Sequence, residues 1–246
     1  MTFLQKHHGQ MSDSMLTAFF IILSGGLQDA YTYCCRGKVF ANAQTGNIVL
    51  LSTHLFEGDW GQALRYLVPV LAFLLGIYIA ECVHRHFKRM EKVHWRQLII
   101  LAEIVLLAAV GFLPETLNVV VALYPIFFAM SIQWSSFGGA RGFYSSTIFS
   151  TNNTKQTSLA LANYLCDHDR AHLRKLKVFA LTLLCFHIGA AAAYFAVTWW
   201  YIRGALAVLP LIAWAFFLSV CERRHEALAE EPETIPDSSA HPTSNA

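Results

Sequence analysis

The chain has 246 residues, is 55% hydrophobic and only 14% charged, and carries a formal net charge of +2. Soluble domains carry about 25% charged residues, so the composition excludes an ordinary soluble domain, and so small a net charge gives no basis for a nucleic-acid partner. Six cysteines (Cys34, Cys35, Cys82, Cys166, Cys185 and Cys221) form no CxxC pair and no Cys/His ligand spacing, so no metal, cofactor or disulfide framework is expected.

Residues 1–14 read as a short cytoplasmic N-terminus with one basic residue, Lys6. The apolar run over 15–35 is too long for the core of a signal peptide and lacks a small-residue cleavage site, so it reads as a retained first span. Further apolar segments follow at 39–56, 64–84, 97–113, 118–138, 145–165, 177–198 and 204–221. From Glu222 the chain turns polar and rich in Pro, Ser and Glu, which predicts a disordered cytoplasmic tail over 222–246.

Eight segments do not make eight spans. The second, "VFANAQTGNIVLLSTHLF", and the sixth, "SSTIFSTNNTKQTSLALANYL", are crowded with Asn, Gln, Ser and Thr, whose polar groups are costly in lipid. Basic residues collect on the cytoplasmic side of short loops. If all eight segments cross, the two most basic loops, "HRHFKRMEKVHWR" with five Lys/Arg and "DHDRAHLRKLK" with four, fall on opposite sides. If the two polar segments dip in and return, both loops share a side with Lys6, Arg141, Lys155, Arg223 and Arg224, leaving Arg36, Lys38, Arg65 and Arg203 opposite, or 14 against 4. The sequence therefore predicts an all-α polytopic membrane protein with six transmembrane helices, two re-entrant or broken segments, and both termini cytoplasmic.

A shift of 105 residues lays Gln28, Arg36, Gly37 and Asn47 onto Gln133, Arg141, Gly142 and Asn152, with Thr45 on Ser150; further on, with a few residues inserted in the loop, "FLLG" ending at Gly76 meets "FHIG" ending at Gly189. This predicts one transmembrane domain over 15–221 built from two halves, about 15–113 and 118–221. Three spans per half would run the halves in opposite directions, as in the inverted 3+3 repeats of transporters and channels. Irregular backbone at membrane depth is tolerated inside protein or beside a water-filled cavity. On that ground Asp29, Asn42, Gln44, Thr45, Asn47, Gln133, Thr151 and Asn152 are the expected substrate-binding residues, meeting near the midplane; the competing reading is that these amides knit helices together.

At "GGLQDAYTY", "VFANAQTGNIVLL" and "YPIFFAMSIQ" the chain resembles the YoaK-like bacterial membrane proteins, a domain-of-unknown-function family, over about residues 15–221. The D-A-x-x-Y element followed by F-A-N-A-Q-T-G-N is specific. The resemblance implies a six-span protein of the inner membrane and brings no activity with it. In the second half the chain reads "STIFSTNNTKQ" where the family pattern is nearer V-T-G-T, a departure that bears on any shared substrate.

Ionisable groups within the spans mark ion or proton paths unless a partner explains them. Asp29 lies about six residues from the outer end of span 1, one turn after Gly25 and Gly26. Glu103 stands in "LIILAEIVLL" with no polar neighbour on its own helix, and His187 lies in "LLCFHIGAAAAYF". These three form the expected proton or ion path; for each, the alternative is a single satisfied contact to a neighbouring helix. Arg36 and Arg141 sit at opposite mouths, as anion attractors or as helix-end anchors, and Gly138 and Gly142 have the G-x-x-x-G packing spacing. No H-E-x-x-H, G-x-S-x-G, P-loop or paired-Asp motif occurs, so no enzyme is expected. The expected function is transport or conduction of a small solute or ion; the alternatives are a membrane scaffold and, behind it, a membrane-embedded enzyme. The expected partners are the lipid bilayer and that solute, with association between copies allowed.

Overall fold

The computed structural model describes residues 15–87, 95–114, 116–137 and 150–230. Helices account for almost all of them: α1 (Met15–Cys35), α2 (Gln44–Phe56), α3 (Trp60–Phe87), α4 (Trp95–Gly111), α5 (Val119–Ser136), α6 (Ser150–Asp167), α7 (Arg170–Trp200), a 3-10 segment (Tyr201–Val208) and α8 (Leu209–Glu230). No strand occurs among the described residues, in line with the expected all-α class. Helix α8 runs to Glu230, past the boundary at Glu222 where composition predicts a disordered tail; "ERRHEALAE" is rich in Ala, Leu, Glu and Arg, all strong helix formers. The N-terminal stretch with Lys6, the loop residue Lys92, Glu115, the segment holding Gly138, Arg141 and Gly142, and residues 231–246 lie outside the described residues.

At 1.5 Å per residue, α3 and α7 are ~42 and ~46 Å long, whereas the 13-residue α2 reaches only ~20 Å. Two stretches are long and apolar enough to cross a membrane, Trp60–His86 and Arg170–Cys221; Gln97–Gly111 is apolar but shorter. The second stretch does not run straight. Tyr201 takes a positive φ of 48° at the end of α7, and Gly204 packs against the backbone of Ala196 and Val197. The 3-10 segment thus folds back on the last turn of α7 and interrupts the 52-residue stretch before α8.

The same joint links each short polar helix to the long helix after it. After α2, Gly58 has φ 79° and the Asp59 carboxylate accepts from the Gln62 backbone N–H at 3.1 Å. After α6, His168 has φ 53° and Asp169 accepts from the Ala171 N–H at 2.8 Å. A left-handed residue ends one helix and an aspartate caps the free N–H groups of the next.

Packing follows a paired scheme. Helix α1 lies along α7 and also against α8, while α5 lies along α3 and also against α4; α2 packs on α3 as α6 packs on α7. Helices α4 and α8 meet, and α1 touches α5 at one short crossing. Glycines permit the closest approaches. A Cβ on Gly26 would strike the Phe186 backbone carbonyl, and one on Gly189 the Leu23 carbonyl; a Cβ on Gly76 would strike the Ser131 side chain and approach Phe128. Adding 105 to Leu23 and 26 gives 128 and 131, so the two interfaces use matching positions. The core comprises Ile21, Leu27, Ile100, Leu107, Leu123, Phe127 and Met130 with their neighbours.

Candidate functional site

The polar run after α1 is positioned by a reversal. Gly37 and Lys38 have φ of 83° and 65°, ending α1 in the manner of a left-handed cap, and the chain then descends beside the helix it has just left. The Ala41 N–H donates to Thr32 Oγ1 at 3.0 Å, the Asn42 N–H to Asp29 Oδ1 at 2.9 Å, and Asn42 Nδ2 to the Gly25 carbonyl at 2.9 Å. These contacts step down α1, and Gly25 lies ~15 Å from the helix end at 1.5 Å per residue. The residues that lead into α2 therefore reach the level of the middle of α1.

The amides of this run are used by the run itself. Asn47 Oδ1 accepts from the Phe40 N–H at 3.1 Å, and its Nδ2 donates to the Phe40 carbonyl at 2.8 Å and to Gln44 Oε1 at 3.1 Å. Gln44 Nε2 donates to the Ala41 carbonyl at 3.2 Å. The space over Gly46 is filled by the Phe40 ring, which stacks on Tyr33 with centroids 5.0 Å apart. Thr45 faces outward. Asp29, Asn42, Gln44 and Asn47 are thus brought together, as a brace for a dipping loop.

The second polar segment is elsewhere. Helices α2 and α6 do not touch, so residues 42–47 and 150–153 share no site, and Asn47 and Asn152 are not neighbours. Thr151 and Asn152 are exposed, whereas Asn153 is buried. One residue rotates a side chain by 100° on a helix, and the alignment at 105 picks the wrong one of two adjacent asparagines. The expected meeting of these segments near the midplane does not form, because each packs on its own long helix.

What does meet at the centre is α1 with α5. Gln133 Nε2 donates to the Ile21 carbonyl at 3.0 Å and lies 3.5 Å from Ser24 Oγ, which itself donates to Ile21 O at 2.7 Å. Gln28, one turn beyond Ser24, is buried as well. Gln133 Oε1, Gln28 Nε2 and Thr17 Oγ1 have no hydrogen-bond partner. Glu103 on α4 is 1% exposed, and its Oε1 also lacks a partner. Nothing in local sequence separates Ser24 and Thr17 from other helical hydroxyls; Gln28 carries a signal, its equivalence with Gln133. Asp29 is engaged with the loop, and His187 faces outward with Nδ1 2.7 Å from the Leu183 carbonyl. The expected path through Asp29, Glu103 and His187 is therefore not assembled: the three face a loop, the interior and the outside.

Arg36, expected at a mouth, is turned inward and only 2% exposed. Its Nε donates to the Tyr31 hydroxyl at 3.0 Å, which donates in turn to the Ile202 carbonyl at 2.8 Å. This chain ties the end of α1 to the 3-10 segment.

No curated protein and no solved structure matches the chain. The family model described as a protein of unknown function, DUF1275, matches residues 17–219, from the first turn of α1 to the body of α8, and the chain belongs to that family, which includes the YoaK-like proteins.

Proposed function

We propose that the chain is an integral protein of the inner membrane that moves a small solute or ion along the α1–α5 crossing. The observation that carries this reading is an inversion of polarity. Leu71, Leu74 and Leu75 on α3 and Leu184, Ile188 and Phe195 on α7 are exposed, while Ser24, Gln28, Gln133 and Glu103 are buried. Exposing a large apolar side chain to water forgoes roughly 1.5–3 kcal/mol, a penalty that vanishes in hydrocarbon. Each buried polar atom without a partner costs about 1–3 kcal/mol. Gln28 Nε2 and Gln133 Oε1, on the two helices that cross, have no partner and offer a passing solute groups to bond.

In this reading α1, α3, α4, α5, α7 and α8 span, both termini are cytoplasmic in keeping with the 14 to 4 division of basic residues, and α2 and α6 are re-entrant. The descent of residues 37–42 to the level of Gly25 and the ~20 Å length of α2 support re-entry. The matched packing of α1 on α7 with α5 on α3, the repeated joints at Asp59 and Asp169, and the Gly26/Ser131 correspondence support an inverted 3+3 repeat. The reading is non-enzymatic, and it requires the bilayer and a solute as partners and no nucleic acid; copies are free to associate.

Purified protein in liposomes tests it. Solute or proton flux above that of empty vesicles, reduced when Gln133 is replaced by Leu, is the expected result. The second reading, a scaffold, is favoured by the self-bracing of residues 40–47. A flux-null protein recovered in a stable complex would establish that instead.

A further inference from the structure

One end of the bundle carries a buried cation without a counter-charge among the described residues. Arg36 is 2% exposed, and among the described residues its Nη2 has no partner, it forms no ion pair, and its side chain donates to the neutral Tyr31 hydroxyl alone. Arginine cannot shed its proton in a protein, and a buried unpaired charge costs several kcal/mol. The carbonyl end of α1 provides about half a negative charge, which answers part of it. Tyr31 connects Arg36 to the Ile202 carbonyl, and Ile202 is a wall of a cavity of about 290 Å³ lined by Gly111, Phe112, Leu113, Pro114, Ile202 and Arg203. Arg203 is exposed and likewise has no ion pair among the described residues. Arg203 thus lines the cavity, and Arg36 is joined through Tyr31 to the carbonyl of one of its lining residues; among the described residues no carboxylate is bonded to either.

We infer that this cavity binds a small oxyanion of the phosphate type. Arg203 contacts it through the planar fork suited to such oxygens, and Arg36 adds charge from behind the Ile202 wall, where low dielectric strengthens its field. The same chemistry is offered by free inorganic phosphate and by the phosphate of a lipid headgroup. The site is separate from the α1–α5 crossing and stands whether or not the chain carries a solute.

The test uses the full chain in phospholipid-free maltoside micelles, with binding measured by isothermal titration calorimetry and thermal unfolding. One arm adds sodium phosphate against sodium chloride at equal ionic strength. The other adds dihexanoylphosphatidylglycerol against dihexanoylglycerol, which lacks the phosphate. Saturable binding in at least one arm, weakened tenfold or more by Arg203→Gln, is the expected outcome; the arm that responds identifies the source. Arg36→Lys keeps the charge and loses the fork, and should weaken binding less than Arg36→Gln. If the Arg36 variants do not fold, Arg203→Gln at the exposed position decides alone. Absence of saturable binding in both arms, or binding that Arg203→Gln leaves unchanged, overturns the assignment.

Discussion

Replacing Asn47 by Leu separates the bracing role of the polar run from a solute-lining one. In the native chain the Asn47 amide satisfies both the N–H and the carbonyl of Phe40, at 3.1 and 2.8 Å, and holds Gln44 at 3.1 Å. Leucine is close in size but can bond none of these. Two backbone groups of a half-buried residue are then left unpaired, while Gln44 is free to turn to other partners. At about 1–3 kcal/mol for each orphaned group, and taking the lower half of that range because Phe40 is only partly buried, the loss is about 2–4 kcal/mol. Intrinsic-fluorescence unfolding of the detergent-purified protein should show a clear drop in midpoint, with Asn47→Asp intermediate because the carboxylate still accepts from Phe40 N–H. An Asn47→Leu protein with an unchanged midpoint and abolished flux would refute the reasoning, since the amide would then serve a solute and not the loop.

Three other expectations follow from the packing and the charges. Gly26→Leu places atoms where the Phe186 carbonyl lies and should force α1 from α7; overpacking of this kind costs about 1–3 kcal/mol or more, so expression and midpoint should fall, and a silent substitution would contradict the close crossing. Glu103→Gln preserves shape but cannot ionise; it should fold normally and lose any proton coupling that this buried carboxyl supplies, and retained pH-dependent flux would show that it supplies none. In a cysteine-free background, Asp59→Cys should react with an impermeant maleimide added outside cells and Arg174→Cys should not; strong labelling at 174 would restore the eight-span arrangement.

The helices and their order were legible in the sequence because hydropathy and helix propensity are local properties. The polarity of the second segment was legible too: the amides at 42, 44 and 47 break an apolar pattern wherever they end up, and α2, at 13 residues, is shorter than the ~20 residues that cross a hydrocarbon core. The matched packing of α1 on α7 and of α5 on α3 left a trace in Gln28 and Gln133 and in Gly76 and Gly189. The correspondence was missed at Asp59 and Asp169, because α6 is five residues longer than α2 (18 against 13) and the fixed shift had lost register there.

What only the tertiary structure decided is which partner each polar group takes. Asn42 and Asn47 turn to their own loop and not to a second segment, since a reversal at Gly37 and Lys38 brings residues 40–42 within bonding reach of them and of α1. His187 faces outward and Glu103 inward although both stand in uniformly apolar stretches. When every face of a helix is apolar, periodicity no longer marks the interior, and the choice of face falls to the neighbours. Arg36 is the sharpest instance. A basic residue just past a helix end reads as a surface anchor, yet here the reversal and the returning 3-10 segment close over it. Burial is a property of what arrives from far along the chain, 171 residues away in the Tyr31–Ile202 bond, and no local pattern encodes that.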